Sequence, residues 1–327
     1  MYLPASREPE RSESLRRGSA AVAVVRYRNV GLFLTLAAVW GSAFMAIKAG
    51  VGEPTAPAYF FEAPVLFAAL RFDIAGGLMF GYALWATDRW RPRGRSEWAT
   101  VGVGAVLIIA GYHALLFVGQ RGATSAAGAV IVSLSPVLTT AFARVFLPDE
   151  RLTVVGLVGM GLGLVGVVVL SRPDPSNLVG SRFEAFIFAA ALCFALGSVL
   201  TRRLDNDLPI ETMEAWSMLG GAALMHTFSV GLGETVSGMP PARAAAALLY
   251  LAVVSSAAGF LVYFTLLDRL GAIEINLVSY VAPVFAAIAG FVFLAERIDA
   301  PTVAGFVVIL AGFVLIKRRA IRDELSR

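Results

Sequence analysis

Apolar residues fall along this chain in long unbroken stretches separated by short polar breaks, not in the alternations or narrow stripes of a water-soluble fold. A helix rises about 1.5 Å per residue, so about 20 apolar residues cross the ~30 Å hydrocarbon core of a bilayer. The pattern predicts ten such spans, at approximately 29–50, 63–86, 98–119, 123–147, 153–171, 183–203, 210–232, 244–267, 272–294 and 301–317. The breaks between them are charged or turn-rich: "TDRWRPRGRSE" from Thr87, "SRPDPSNLVGSR" from Ser171 and "ETVSGMPPAR" from Glu234. Residues 1–28, without periodicity, read as a mobile tail, and residues 318–327 as a second, basic one.

Composition agrees with the pattern. Apolar residues make up 58% of the chain, charged residues 15%, and the mean hydropathy is +0.75, which places it among all-α integral membrane proteins. The placement of the basic residues sets the orientation. With a cytoplasmic amino terminus, nineteen Lys and Arg fall in or beside cytoplasmic segments, and six (Lys48, Arg121, Arg172, Arg182, Arg243 and Arg297) fall outside. This positive-inside bias predicts a multi-pass protein of the cytoplasmic (inner) membrane with both termini in the cytoplasm. It also accounts for the net charge of +4 without a nucleic-acid partner. The single cysteine, Cys193, excludes an intrachain disulfide and a cysteine-based metal cluster.

The chain repeats itself. "SPVLTTAFARVFLPDER" from Ser135 is echoed by "APVFAAIAGFVFLAER" from Ala282. Aligning Pro136 with Pro283 pairs Ala129 with Asn276, Ser133 with Tyr280 and Thr140 with Ala287; a one-residue shift then pairs Glu150 with Glu296, Gly159 with Gly305 and Gly166 with Gly312. Upstream, "AGYHALLF" from Ala110 resembles "AGFLVYFT" from Ala258, and "VWGSAFMAIK" from Val39 lies over "CFALGSVLTR" from Cys193. Each half, 29–171 and 183–317, therefore holds five spans. Five is odd, so the second half enters the membrane inverted, an architecture common in secondary transporters whose site lies near the midplane between the halves.

The chain resembles ten-helix members of the drug/metabolite transporter superfamily, of the EamA type, over roughly residues 30–317. The residues that carry the likeness are "WGSAF" from Trp40, "ALRF" ending at Phe72, "SLSPV" from Ser133 with "DER" from Asp149, and "VAPV" from Val281 with "LAER" from Leu294. The resemblance implies a duplicated five-helix fold, a central cavity lined mainly by spans 1, 3, 4, 6, 8 and 9, and export or exchange of small metabolites. At Phe194 in the sixth span many members of the family carry tryptophan, so the pocket there has its own shape.

The residues themselves supply candidates for that cavity. Pro136 and Pro283 lack an amide hydrogen, so the carbonyls of Val132 and Ser279 lose their helical partners and each helix is expected to bend, which makes the two prolines candidate gating points. Asn276, Tyr280 and Pro283 share one helical face by their i, i+4, i+7 spacing; Ala129, Ser133, Pro136 and Thr140 do so in the counterpart. The full set proposed to face substrate is Trp40, Ser42, Phe44, Tyr112, His113, Ser133, Ser198, Tyr263, Asn276 and Tyr280: aromatic surface for an apolar portion, hydroxyl and amide groups for a polar end. The same polar groups also suit plain interhelical hydrogen bonds.

Ionisable residues inside spans mark function or fixed pairs. Arg71 reads as structural. Asp73 and Glu274 are candidate proton carriers, or else ordinary helix contacts, and Glu150 and Glu296 are placed to begin the helices that follow them. His113 and His226 lack a second histidine or a carboxylate at i±3 or i±4, so no metal site is predicted and no cofactor is called for. Gly161, Gly163 and Gly166 spell GxGxxG inside an apolar span with no strand before them, which is not a dinucleotide site. Gly159 and Gly163 instead make the small-xxx-small spacing that lets helices touch, within the bundle or in a homodimer. No Walker A, HExxH or GxSxG motif is present. The expected protein is not an enzyme but a secondary transporter exporting small amphipathic metabolites, such as amino acids or related compounds, by alternating access through a central midplane cavity. A membrane enzyme acting on lipid head groups would need a clustered acid, base or metal, and a passive channel is the third alternative.

Overall fold

The computed structural model describes residues 8–53, 56–123, 128, 131–147, 152–171, 182–204, 206–294 and 300–325. Ala129, Glu150 and Glu296 lie outside them, as do Arg7, Arg151, Arg172, Arg297 and Arg327 of the charge count. The helices are α1 (Glu8–Val51), α2 (Pro64–Ala86), α3 (Gly94–Gln120), α4 (Ser135–Phe146), α5 (Val154–Ser171), α6 (Arg182–Arg203), α7 (Ile210–Gly231), α8 (Ala242–Leu270), α9 (Ala272–Asn276), α10 (Val278–Leu294) and α11 (Ala300–Leu325). A two-residue ladder, Gly52–Glu53 against Ala56–Pro57, follows α1 and runs antiparallel. Helix is the element that satisfies every backbone group internally where no water is available.

Among the described residues, five helical stretches are long and apolar enough to cross a membrane: Arg28–Val51, Pro64–Ala86, Gly94–Gln120, Arg182–Arg203 and Ala242–Leu270. Three shorter apolar helices, Val154–Val169, Ala272–Ile288 and Val303–Ile316, fall on the fifth, ninth and tenth predicted spans. The seventh is helical throughout but carries Glu211, Glu214 and His226, and the fourth is described as helix mainly from Ser135 onward. Helix α1 is continuous from Glu8 into the first span, and α11 runs on to Leu325. The stretch "AAVAVV" before the first span is rich in alanine, the best helix former, and a span already nucleated extends into flanking sequence at little cost.

Contacts at the helix ends show that the chain alternates. One end gathers the start of the membrane part of α1, the α2–α3 connection, the α6–α7 connection and the end of α8: Arg269 reaches the Asn29 side chain (3.1 Å), Arg89 donates to the Asp207 carbonyl (2.7 Å), and Arg202 pairs with Asp268 (3.3 Å). The opposite end gathers the α1–α2 connection, the end of α3 and the α7–α8 loop: Lys48 donates to the Gln120 carbonyl (3.0 Å) and Arg121 pairs with Glu62 (3.0 Å). There the Glu234 carboxylate accepts from the amides of Val65 (3.2 Å) and Leu66 (2.8 Å), capping α2 just behind Pro64, where an acid complements the helix dipole. Helix α6 begins at this second end, with Phe183 packed at Gly119 and Gly122, whereas the span of α1 begins at the first. The second half is therefore inverted.

Packing obeys the same pseudo-two-fold. Helix α1 packs on α10 as α6 packs on α4; α3 packs on α6 as α8 packs on α1; α2 and α7, and α5 and α11, pack on their own counterparts. Gly159 and Gly312 make the last pair possible, since a Cβ on Gly159 would sit 2.7 Å from the Gly312 carbonyl oxygen and one on Gly312 would sit 2.6 Å from that of Gly159. Within the described residues, then, the small-residue spacing serves a contact inside the bundle. Both α3 and α8 widen into a π-helical segment at corresponding places, Gly104–Gly111 and Leu251–Ala258. Such segments are rare and concentrate at functional sites.

The two prolines stand differently relative to the nearby breaks in helix. Pro136 stands in the first turn of α4 after a turn at Ser133–Leu134, so the chain is broken there and not merely bent. Pro283 lies inside α10, while the break in that region falls upstream at Leu277, between α9 and α10.

Candidate functional site

A narrow cavity, open at its mouth, lies between the halves. Trp40, Phe44 and Ile47 of α1 form one wall, Tyr112, His113 and Leu116 of α3 a second, and Ser279, Ala282 and Pro283 of α10 a third. Val132 and Ser135 at the head of α4, Phe194 of α6, and Ser255 and Phe260 of α8 complete it, together with Arg71 of α2. Residues from Trp40 to Ile47 lead toward the end that carries Lys48 and Gln120.

Aromatic rings dominate. Trp40 packs against Phe260 (5.3 Å between centroids), Tyr263 (5.2 Å) and Phe194 (5.9 Å), and Tyr112 packs on Phe194 (4.9 Å). Trp40 and Phe194 are repeat counterparts, so the aromatic pair sits where the halves meet. The Trp40 indole donates to the Ser255 carbonyl (3.2 Å), a geometry that crowds Gly259, where a Cβ would lie 3.0 Å from Nε1. His113 is buried and its Nδ1 lies 2.9 Å from the Ile109 carbonyl. A carbonyl only accepts, so Nδ1 carries the hydrogen and Nε2 is left as an acceptor.

On the side toward Arg203 and Asp268 a hydrogen-bond chain crosses the bundle. Ser198 Oγ lies 2.6 Å from the Tyr263 hydroxyl, which donates to Asn276 Oδ1 (3.1 Å); Asn276 Nδ2 donates to Thr139 Oγ1 (2.8 Å). All four residues are fully buried, and they tie α6, α8, α9 and α4 together. Ser198, Tyr263 and Asn276 thus come together as a floor beside the cavity and not as part of its lining.

Other candidates are placed elsewhere. Ser42 donates to the Ala38 carbonyl (2.9 Å) and lies 2.5 Å from the Tyr250 hydroxyl, on the α8 side of α1. Ser133 donates to the Ser279 carbonyl (3.3 Å). Tyr280 points away from the cavity: its ring fills the space over Gly163 of α5, where an added Cβ would come within 2.5 Å of it, and its hydroxyl donates to the Met160 carbonyl (3.0 Å). Asp73 pairs with His226 of α7 (2.7 Å) on an outer, half-exposed face, and Glu274 is half-buried in α9; neither lines the cavity. Among the described residues no group of three His, Cys, Asp or Glu is assembled to hold a metal.

Arg71, read from the sequence as structural, also lines the cavity. Its side chain is buried; Nε donates to Ser256 Oγ (2.6 Å) and Nη2 to Ser255 Oγ (3.2 Å), both in the π-helical segment of α8. The guanidinium carbon stands 5.0 Å from the Phe72 ring and 5.9 Å from that of Phe117. The signal available in the sequence was the residue itself, a cation in the middle of an apolar span.

Comparison with known proteins gives one family. The model of the EamA-like transporter family matches twice, over residues 28–172 and 182–318. An uncharacterized transporter of Archaeoglobus fulgidus is 26% identical over 280 residues, covering 86% of this chain and 95% of that protein. The uncharacterized inner membrane transporter YedA of Escherichia coli is 26% identical over 273 residues, covering 81% and 84%. A solved crystal structure superposes with a TM-score of 0.74 at 23% identity, spanning 91% of this chain and 99% of the other, a likeness that speaks for the fold alone. With two matched repeats in an inverted helical bundle, the chain belongs to the EamA-like transporter family and is a multi-pass membrane protein.

Proposed function

We propose that this protein is a secondary transporter of the cytoplasmic membrane that exports small amphipathic metabolites by alternating access, with residues 29–171 and 183–317 as its two moving halves and both termini in the cytoplasm. The observation that carries the reading is the aromatic cavity between the halves, walled by helices of both repeats and closed on one side by the Ser198–Tyr263–Asn276–Thr139 chain. An apolar body packs against Trp40, Tyr112, Phe194 and Phe260, while Ser135 and the Nε2 acceptor of His113 address polar groups. Alternate exposure requires the floor to part and the opposite side to close. The broken backbone at Ser133–Leu134 and at Leu277, beside Pro136 and Pro283, provides the weak points for that exchange. The test is counterflow in proteoliposomes: an internal unlabelled amphipathic amino acid should drive saturable uptake of the same labelled compound. Flux that grows linearly with concentration, or conversion of lipid by the purified protein, would displace this reading.

A further inference from the structure

Arg71 poses an electrostatic problem that its described neighbours do not solve. A guanidinium stays protonated in proteins, and an isolated ion held away from water is strongly unfavourable. Ser255 and Ser256 solvate it through neutral hydroxyls. Among the described residues no carboxylate lies within ion-pair distance; Asp73, two positions along α2, is engaged by His226 on the outer face. The two serines occupy the edge formed by Nε and Nη2. The opposite end, with both hydrogens of Nη1 and the second of Nη2, makes no hydrogen bond to a described residue, although the side chain is only 3% exposed and lines the cavity. That end is the fork that receives a carboxylate bidentately. Phe72 and Phe117 hold the plane in place, and adjacent serines both reach it because a π-helical turn holds more residues than an α-helical one, so neighbouring side chains diverge less.

Building on the transporter reading, we infer that Arg71 is the anion subsite of the cavity and that the transported molecule is an amphipathic monocarboxylate, its carboxylate on the free end of the guanidinium and its apolar body against Trp40 and Phe260. The charge count sets the class. The described wall holds one cationic side chain and no acid, which suits a single negative charge better than a doubly charged phosphate.

The test compares binding of 3-phenylpropanoate, indole-3-acetate and octanoate with their primary amides, and with phenyl phosphate, to the full-length protein in lipid nanodiscs. At least one carboxylate should bind tenfold or more tightly than its amide. In Arg71→Gln that preference should fall to within twofold while the amide binds as before, and Arg71→Lys should retain part of it. The Ser255→Ala/Ser256→Ala double variant keeps the charge but loosens its aim, and should reduce the preference about threefold; it decides the matter if Arg71→Gln does not fold. Binding by none of the carboxylates, a preference that survives in the variants, or tighter binding of phenyl phosphate each overturns the proposal. Failure of the transporter reading looks different: carboxylates would bind in an Arg71-dependent way, yet none would enter proteoliposomes.

Discussion

The Ser133 hydroxyl of the first repeat donates to the Ser279 carbonyl of the second across 3.3 Å. Ser279 is the residue whose helical partner would be the missing amide of Pro283, so one half supplies the hydrogen that the other half's proline withholds. The counterpart carbonyl, on Val132, is met locally by Ser135 Oγ at 2.7 Å. Both proline-orphaned acceptors are thus satisfied by serines, as a dry interior demands. Ser135→Ala should therefore lower stability by about 1–3 kcal/mol, the cost of leaving a buried acceptor unmet. In a Pro136→Ala background, where an amide hydrogen is restored, the same change should cost less than half as much, and thermal unfolding of the four proteins in detergent measures the coupling.

Tyr280 and Trp40 should separate cleanly in transport assays. Trp40→Ala strips a ring from the cavity wall and should raise the half-saturation concentration roughly 5–30-fold, the equivalent of about 1–2 kcal/mol. Tyr280→Ala empties the space over Gly163 and should cost on the order of 3 kcal/mol of stability, with half-saturation changed less than twofold. Reversal of the two phenotypes would mean that Tyr280 reaches substrate in another conformation.

Tyr263→Phe keeps the ring and removes the hydroxyl between Ser198 and Asn276. It leaves Asn276 Oδ1 without a donor in a fully buried position, so unfolding should move down by about 1–3 kcal/mol. Labelling of a cysteine introduced at Thr201, beyond the floor, should become faster as the floor loosens; an unchanged rate would show that the chain of hydrogen bonds does not hold that side shut.

Orientation is tested with Cys193 replaced and single cysteines at Ser96 and Ser237, which are exposed at opposite ends of the bundle. A membrane-impermeant maleimide applied to intact cells should label position 237 and spare position 96. The opposite pattern would reverse the topology drawn from the arginine count.

Much of this bundle is legible in its text because a bilayer leaves few choices: long apolar runs become helices, and the repeated "PV" segments mark the inverted halves. The packing of Tyr280 on α5 has a local cause. The i, i+4, i+7 spacing puts Asn276 and Tyr280 on one face only if the helix is unbroken, and the turn at Leu277 sends Asn276 toward Tyr263 and Thr139 but Tyr280 toward α5. Arg71 illustrates a different gap. Its serine partners lie 184 and 185 positions away, and no spacing rule within α2 names them.

The floor also breaks the symmetry of the molecule. By the repeat alignment, Phe44 stands opposite Ser198, Leu115 opposite Tyr263 and Ala129 opposite Asn276, so the counterpart positions carry no hydroxyl or amide side chains. On the alternating-access reading proposed above, a latch of this kind on one side makes the two ground states unequal, and the empty carrier is expected to rest with the cavity turned toward Lys48. Its kinetics should then differ by face: half-saturation concentrations measured from the two sides of a vesicle will be unequal even with no gradient present. The maximal rates must shift by the same ratio, since at equilibrium the unidirectional fluxes are equal. Loosening the floor with Tyr263→Phe should bring the two half-saturation concentrations closer together.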